Sequence, residues 1–182
     1  MNLIENLNQN KQKIIELWFN RIIDTYPLNT SQFIKKEQDP FSNPVGNITQ
    51  TNIADIFEQF LLDKFDQQFL MDHLDPVIRV RAIQNFSASD AVGFIFDLKP
   101  IVRNVFKKQK FALELAEYIS FEMRVDQLAL YAFDVFMTCK EKIYDLKANE
   151  VRKQSFQALE RANLLKPEDL SESTNGLSKN TA

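Results

Sequence analysis

The sequence contains one cysteine, Cys139, and one histidine, His73, among 182 residues. A single thiol excludes an intrachain disulfide and suits a reducing compartment. One His and one Cys cannot build a zinc site or a Cys–His nucleophile pair unless they meet in space. Glycine is almost as scarce, with only Gly46, Gly93 and Gly176. That disfavours a hairpin-rich β fold, whose turns need glycine. No run approaches the roughly 18 consecutive apolar residues of a membrane span. The N-terminus MNLIENLNQNKQK lacks the basic-then-apolar layout of a signal peptide. A net charge of −3 disfavours non-specific nucleic-acid binding, which needs clustered Lys and Arg. No GxGxxG, P-loop, CxxC or HExxH motif occurs, and the Glu-x-x-His repeats of a di-metal carboxylate bundle are missing. These absences lead to a cytoplasmic chain that is not an enzyme. No metal or cofactor, membrane contact or nucleic acid is expected.

What is present is apolar and aromatic. Apolar residues make up 45% of the chain, and sixteen of them are Phe. This predicts one domain with a dense aromatic core over 1–165. Ile14, Ile15, Trp18, Ile22 and Tyr26 recur at helical spacing and predict a helix over 3–26, ended by Pro27, with Trp18 as a core anchor. Residues 27–46 read as irregular, with a short turn at Thr30-Ser31. The segment DPFSNPVG, Asp39 to Gly46, packs turn formers around Phe41 and Val45. Either Phe41 and Val45 plug the core, or the loop covers a pocket or docks a partner through Phe41 and Asn43. A second helix is expected over 48–65. A short segment over 66–74 then holds His73, read as a surface or structural histidine rather than an axial haem ligand.

The stretch DPVIRVRAIQNFSASDAVGFIFDLK, Asp75 to Lys99, holds the sharpest anomalies. Asp75-Pro76 reads as a helix start, and Ser87 with Asp90 as a capping pair for the next helix. That next helix is expected to run to Gln109, kinked at Pro100. On the first helix Arg81, Gln84 and Asn85 share a polar edge, whereas Arg79 falls among Ile83 and Phe86. Residues 111–165 have no Gly or Pro and predict one long helix, or two with a break near Phe121. Its apolar arc, which includes Phe133, Phe136, Met137 and Cys139, contains a second misplaced charge, Asp126. A buried unpaired charge is costly. Arg79 and Asp126 are therefore expected to pair in the core, with Arg81 the other candidate for Asp126. The thinning stripe Val151, Phe156, Leu159 and Leu164 suggests a homodimer through the C-terminal helix. A disordered tail is expected over 166–182.

Three segments carry a family resemblance: IRVRAIQNFSASDAVGFIFDLK, DPFSNPVG and VDQLALYAFDVFMTCKEKIYDL. Together they resemble the RsbRD-type N-terminal domain, named after an RsbT co-antagonist of the bacterial stressosome. The resemblance implies an all-α, globin-like sensory domain without haem or catalytic activity, here with a long C-terminal helix. In relatives that domain precedes a STAS output domain. None follows within these residues, so a module acting in trans through a protein partner is expected. The candidate ligand- or partner-binding residues are Arg79, Arg81, Gln84, Phe41, Asn43 and Asp126. The alternative function is a carrier or receptor for a small apolar ligand near Arg79, gated by the Asp39–Gly46 loop. A third reading, haem-based gas sensing, rests on His73 alone.

Overall fold

In the computed structural model the described residues are 2–37, 39–84, 86–108 and 114–162. They form seven α-helices and, among themselves, no strand: α1 Leu3–Ile23, α2 Leu28–Lys36, α3 Pro44–Gln59, α4 Gln67–Ile83, α5 Ala88–Gly93, α6 Leu98–Lys108 and α7 Leu115–Arg161. The chain divides into two units, Met1–Lys140 and Glu141–Ala182. The fold is all-α with a long C-terminal helix, as expected. None of the described helices is long and apolar enough to cross a membrane. The tail over 166–182 lies outside the described residues, as do Asn85, Leu164 and Pro167.

The first unit packs around α1. Asn2 caps it with Glu5 in a reciprocal capping box. Ile14, Trp18 and Ile22 are fully buried on its inner face. Trp18 is a core anchor, and its indole N–H donates to the Phe94 carbonyl at 2.8 Å. The helices α3 and α4 supply Ile53, Ile56, Phe57, Leu70 and Leu74 to the same core. Within this unit α7 turns Phe121, Val125, Leu128, Ala132, Val135 and Phe136 inward.

Several elements differ from expectation. Residues 28–36 form a nine-residue helix rather than an irregular stretch, with Pro27 at the N-cap position and no side-chain cap. Proline fixes a φ suited to helix entry, so it starts α2 as well as ending α1. Pro44 plays the corresponding part at the start of α3, which therefore begins before Ile48. Pro76 does not begin a helix: α4 starts at Gln67, capped by Asp66, and runs through it. The cost is the missing bond to the Asp72 carbonyl. The expected helix from Ser89 to Gln109 is instead α5 and α6, joined by i→i+3 bonds from Val92 to Lys99. Pro100 lies in the first turn of α6, where a missing N–H is tolerated. Ser87 and Asp90 do cap α5, with the Ser87 hydroxyl accepting from the Asp90 amide at 3.1 Å. The helix α7 is continuous through Phe121.

Asn43 fastens the α2–α3 connection. Its Nδ2 donates to the carbonyls of Ile34 and Glu37, each at 2.8 Å, and its Oδ1 accepts from the Gly46 amide at 3.0 Å. A Cβ added at Gly46 would lie 2.3 Å from Asn43 Nδ2, so only glycine leaves room for the latch. Asn43→Ala removes a cap and orphans two carbonyls. Urea unfolding should show a loss of roughly 1–3 kcal/mol, and a change below about 0.5 kcal/mol would show that the latch is ornamental.

Candidate functional site

The buried charge of the first unit is Arg81, not Arg79. Leu70, Leu74, Val77, Ile78 and Ala82 form the inward face of α4, and Arg81 continues that face with no exposed surface. Its Nε donates to the Ala91 carbonyl at 3.1 Å. One Nη2 serves both the Asp90 carbonyl at 2.8 Å and the Thr25 hydroxyl at 3.0 Å. The guanidinium carbon sits 4.3 Å from the centre of the Phe86 ring, 5.3 Å from that of Phe94 and 5.5 Å from that of Tyr26. No carboxylate side chain hydrogen-bonds to it among the described residues, and its buried Nη1 has no hydrogen-bond partner there. Burial holds Arg81 below the ordinary arginine range, opposed by Tyr26 and by Asp90. Burial likewise raises the Tyr26 hydroxyl.

This arrangement has a physical logic. The helix α5 ends after one and a half turns, leaving the Asp90 and Ala91 carbonyls to be satisfied from outside. Helix C-termini carry partial negative charge, so a cation is favoured there. Aromatic faces stabilise the same cation from the side. The motif recurs. Arg124 donates to the Phe60 carbonyl at 3.3 Å and to the Gln59 carbonyl at the end of α3, over the Phe65 ring at 4.2 Å. Lys140 reaches the Ala82 carbonyl at the end of α4, at 3.1 Å.

The expected core pair between Arg79 and Asp126 does not form. The Arg79 side chain is exposed and pairs with Asp75 one turn back at 2.6 Å. Asp126 is exposed and pairs with Lys99 at 2.6 Å, not with Arg81. Extended exposed side chains find partners in water at little cost, so neither charge needs the core. Gln84, at the end of α4, is exposed. Arg79 lines an open cleft of about 360 Å3 with Gln68, Met71, Asp72, Asp75, Val135 and Thr138. No residue of the Asp39–Gly46 loop lines that cleft, so the loop does not gate it. Phe41 does not plug the core: it is 95% exposed. Asp39 holds the turn beneath it, accepting from the Ser42 amide at 2.8 Å and from the Ser42 hydroxyl at 2.7 Å. These bonds lower the Asp39 carboxyl below its ordinary value.

His73 is half-buried on α4. Its ring stacks on Phe69 at 3.9 Å, Nδ1 meets the Phe69 carbonyl at 2.8 Å, and Nε2 lies 3.6 Å from Asp55. Among the described residues no group of three His, Cys, Asp or Glu side chains could hold a metal ion. Of the six candidates, only the two cap-forming residues, Arg81 and Asn43, are buried, and they support different helix ends. The remaining four stand at the surface. Sequence reading placed Arg81 on a polar edge because it began the helix at Pro76. Carrying the period back through Leu70 and Leu74 lands on Arg81.

A lysine at position 81 offers one ammonium where two carbonyls and a hydroxyl are served by a fork. Arg81→Lys should lower stability by roughly 2–4 kcal/mol in urea unfolding. Arg79→Lys should leave the unfolding midpoint unchanged within error. Equal effects at the two positions would contradict the assignment.

Comparison with known proteins gives one family. The model of the RsbT co-antagonist protein rsbRD N-terminal domain matches residues 12–151. The chain is also 22% identical over 141 residues to an uncharacterized protein of Archaeoglobus fulgidus, covering 77% of this chain and 83% of that protein. No solved structure matches.

Proposed function

The chain belongs to the RsbT co-antagonist RsbRD N-terminal domain family, and from that premise we propose a regulatory module that acts through protein–protein contacts in signal transduction. Family membership over most of the chain is the observation that carries the reading. It is a reading of a sensory, non-catalytic domain of the cytoplasm, working in a stress-related pathway. Two surface features support it. Phe41 projects into solvent from a turn fixed by Asp39 and by the Asn43 latch. A rigid, exposed aromatic is the kind of side chain that anchors an interface. Arg79 and Gln84 are exposed on α4 and would supply polar contacts to the same or another partner. Arg81 and Asn43 act beneath the surface, holding the elements that present it.

The long C-terminal helix supports a homodimer. In the second unit Val151 and Leu159 are exposed and Phe156 is partly so. Pairing with a twin helix would remove that apolar surface from water.

The test is pull-down from the native cell with the wild-type chain and with Phe41→Asp. We expect a stable hetero-complex with the wild type that weakens at least tenfold in the variant, with unchanged helicity. Native mass spectrometry of the freshly purified chain supplies the opposing result. A co-purified small apolar molecule, with no protein partner retained, would favour the carrier reading instead.

A further inference from the structure

An open cleft of about 400 Å3 lies where the first turns of α1, the turn after α3 and the first turns of α7 meet. Its volume falls within the roughly 300–1,000 Å3 of small-ligand sites. Leu7, Phe60 and Phe121, each at most 2% exposed, line it from within, and Ile4 and Leu62 line it nearer solvent. Its polar lining is Asp63, Glu117, Ser120 and Arg124. The cation there is already committed. Arg124 donates Nη1 to the Phe60 carbonyl at 3.3 Å and Nη2 to the Gln59 carbonyl. The carboxylates are not. Glu117 accepts through Oε2 from the Leu3 amide at 3.2 Å, which leaves Oε1 without a hydrogen bond among the described residues. Asp63 makes neither hydrogen bond nor ion pair there; it acts on Arg124 only through space.

We propose that this cleft binds a small amphipathic amine, with its ammonium against Glu117 and Asp63 and its apolar body over Leu7, Phe60 and Phe121. The inference rests on the sensory reading of the domain and gives it a ligand class. Charge complementarity selects that class. Two carboxylates face one guanidinium, and an ionised carboxylate only accepts, whereas an ammonium brings three donors. An anionic ligand would meet two like charges and an arginine whose Nη atoms are spent. An uncharged apolar ligand would cover the carboxylates and leave them unpaired, which is costly. A ligand seated here touches α1, the turn after α3 and α7 at once, and so favours the arrangement that holds the three together.

The probe is n-octylamine at neutral pH, with n-octanoate and octanol as anionic and uncharged controls of the same chain length. Amide NMR of the full chain follows each titration. We expect saturable shifts at Leu3, Leu62 and Ser120 with the amine, and binding at least tenfold weaker for both controls. In Glu117→Gln with Asp63→Asn, which keeps an acceptor for the Leu3 amide, affinity for the amine should fall roughly tenfold. Octanoate binding as tightly as the amine would overturn the proposal and assign the cleft to an anion at Arg124. Octanol binding as tightly would overturn it in favour of a purely apolar site. Absent or misplaced shifts, or an unchanged affinity in the double variant, would overturn it as well. The three-probe comparison uses the wild type and does not depend on the variant folding. Pull-down reads the parent reading separately: a retained protein partner without amine binding removes this site and leaves the regulatory reading standing.

Discussion

A buried guanidinium to which no carboxylate side chain hydrogen-bonds among the described residues ties together the elements of the first unit. Taking Arg81 out of water is expensive, and an acidic partner is the usual compensation. Here the compensation comes from the backbone. The Asp90 and Ala91 carbonyls are those that a helix as short as α5 leaves unsatisfied, and the Thr25 hydroxyl completes the fork. One side chain thus ties the end of α1 to α4 and to the end of α5. Trp18 closes the same helix end by donating to the Phe94 carbonyl. Charge and hydrogen bonding are solved together, since the cation needs acceptors and the truncated helix has them.

The pattern extends to the neighbouring helices. Arg124 closes the end of α3, and Lys140 the end of α4. Each comes from α7, so that helix fixes two others by their C-termini as well as by apolar packing. Burial pulls Arg124 below the ordinary arginine range, as it does Arg81, although Asp63 opposes the effect there. Asp75, Glu122 and Asp126, by contrast, are at least partly exposed and pair with Arg79, Arg103 and the half-buried Lys99. A body locked in this way leaves exposed features such as the Phe41 turn as the surfaces on which a partner can act. This fits a regulatory domain, whose output is contact rather than chemistry.

How much of this was legible in the sequence depended on which signals were local. The caps at Ser87 and Asp90 were readable because their chemistry lies within four residues. The all-α class followed from periodicity and from the scarcity of glycine, whereas the lack of Gly and Pro over 111–165 left a break near Phe121 open, which α7 does not have. Periodicity alone could not say which of two apolar sides of α7 faces the core. Asp126 shares its side with Phe133 and Met137, and that side proved to be the outer one. It looked buried for that reason. Arg79 was misjudged through a helix boundary: Pro76 suggested a start, and a start there rotates the inferred inner face away from Arg81. The role of Asn43 was hidden because its acceptors, Ile34 and Glu37, lie in the last turn and at the C-cap of a helix that the proline-rich connection did not advertise.

The central claim is that Arg81 remains a charged, fully enclosed fork between a helix terminus and aromatic rings. Proton NMR of the arginine Nε–H group tests it most directly. The account predicts one Nε–H resonance, absent from Arg81→Lys, that is displaced by ring currents and exchanges with solvent far more slowly than the other arginines. An Arg81 Nε–H that exchanges as fast as that of exposed Arg79 would contradict it.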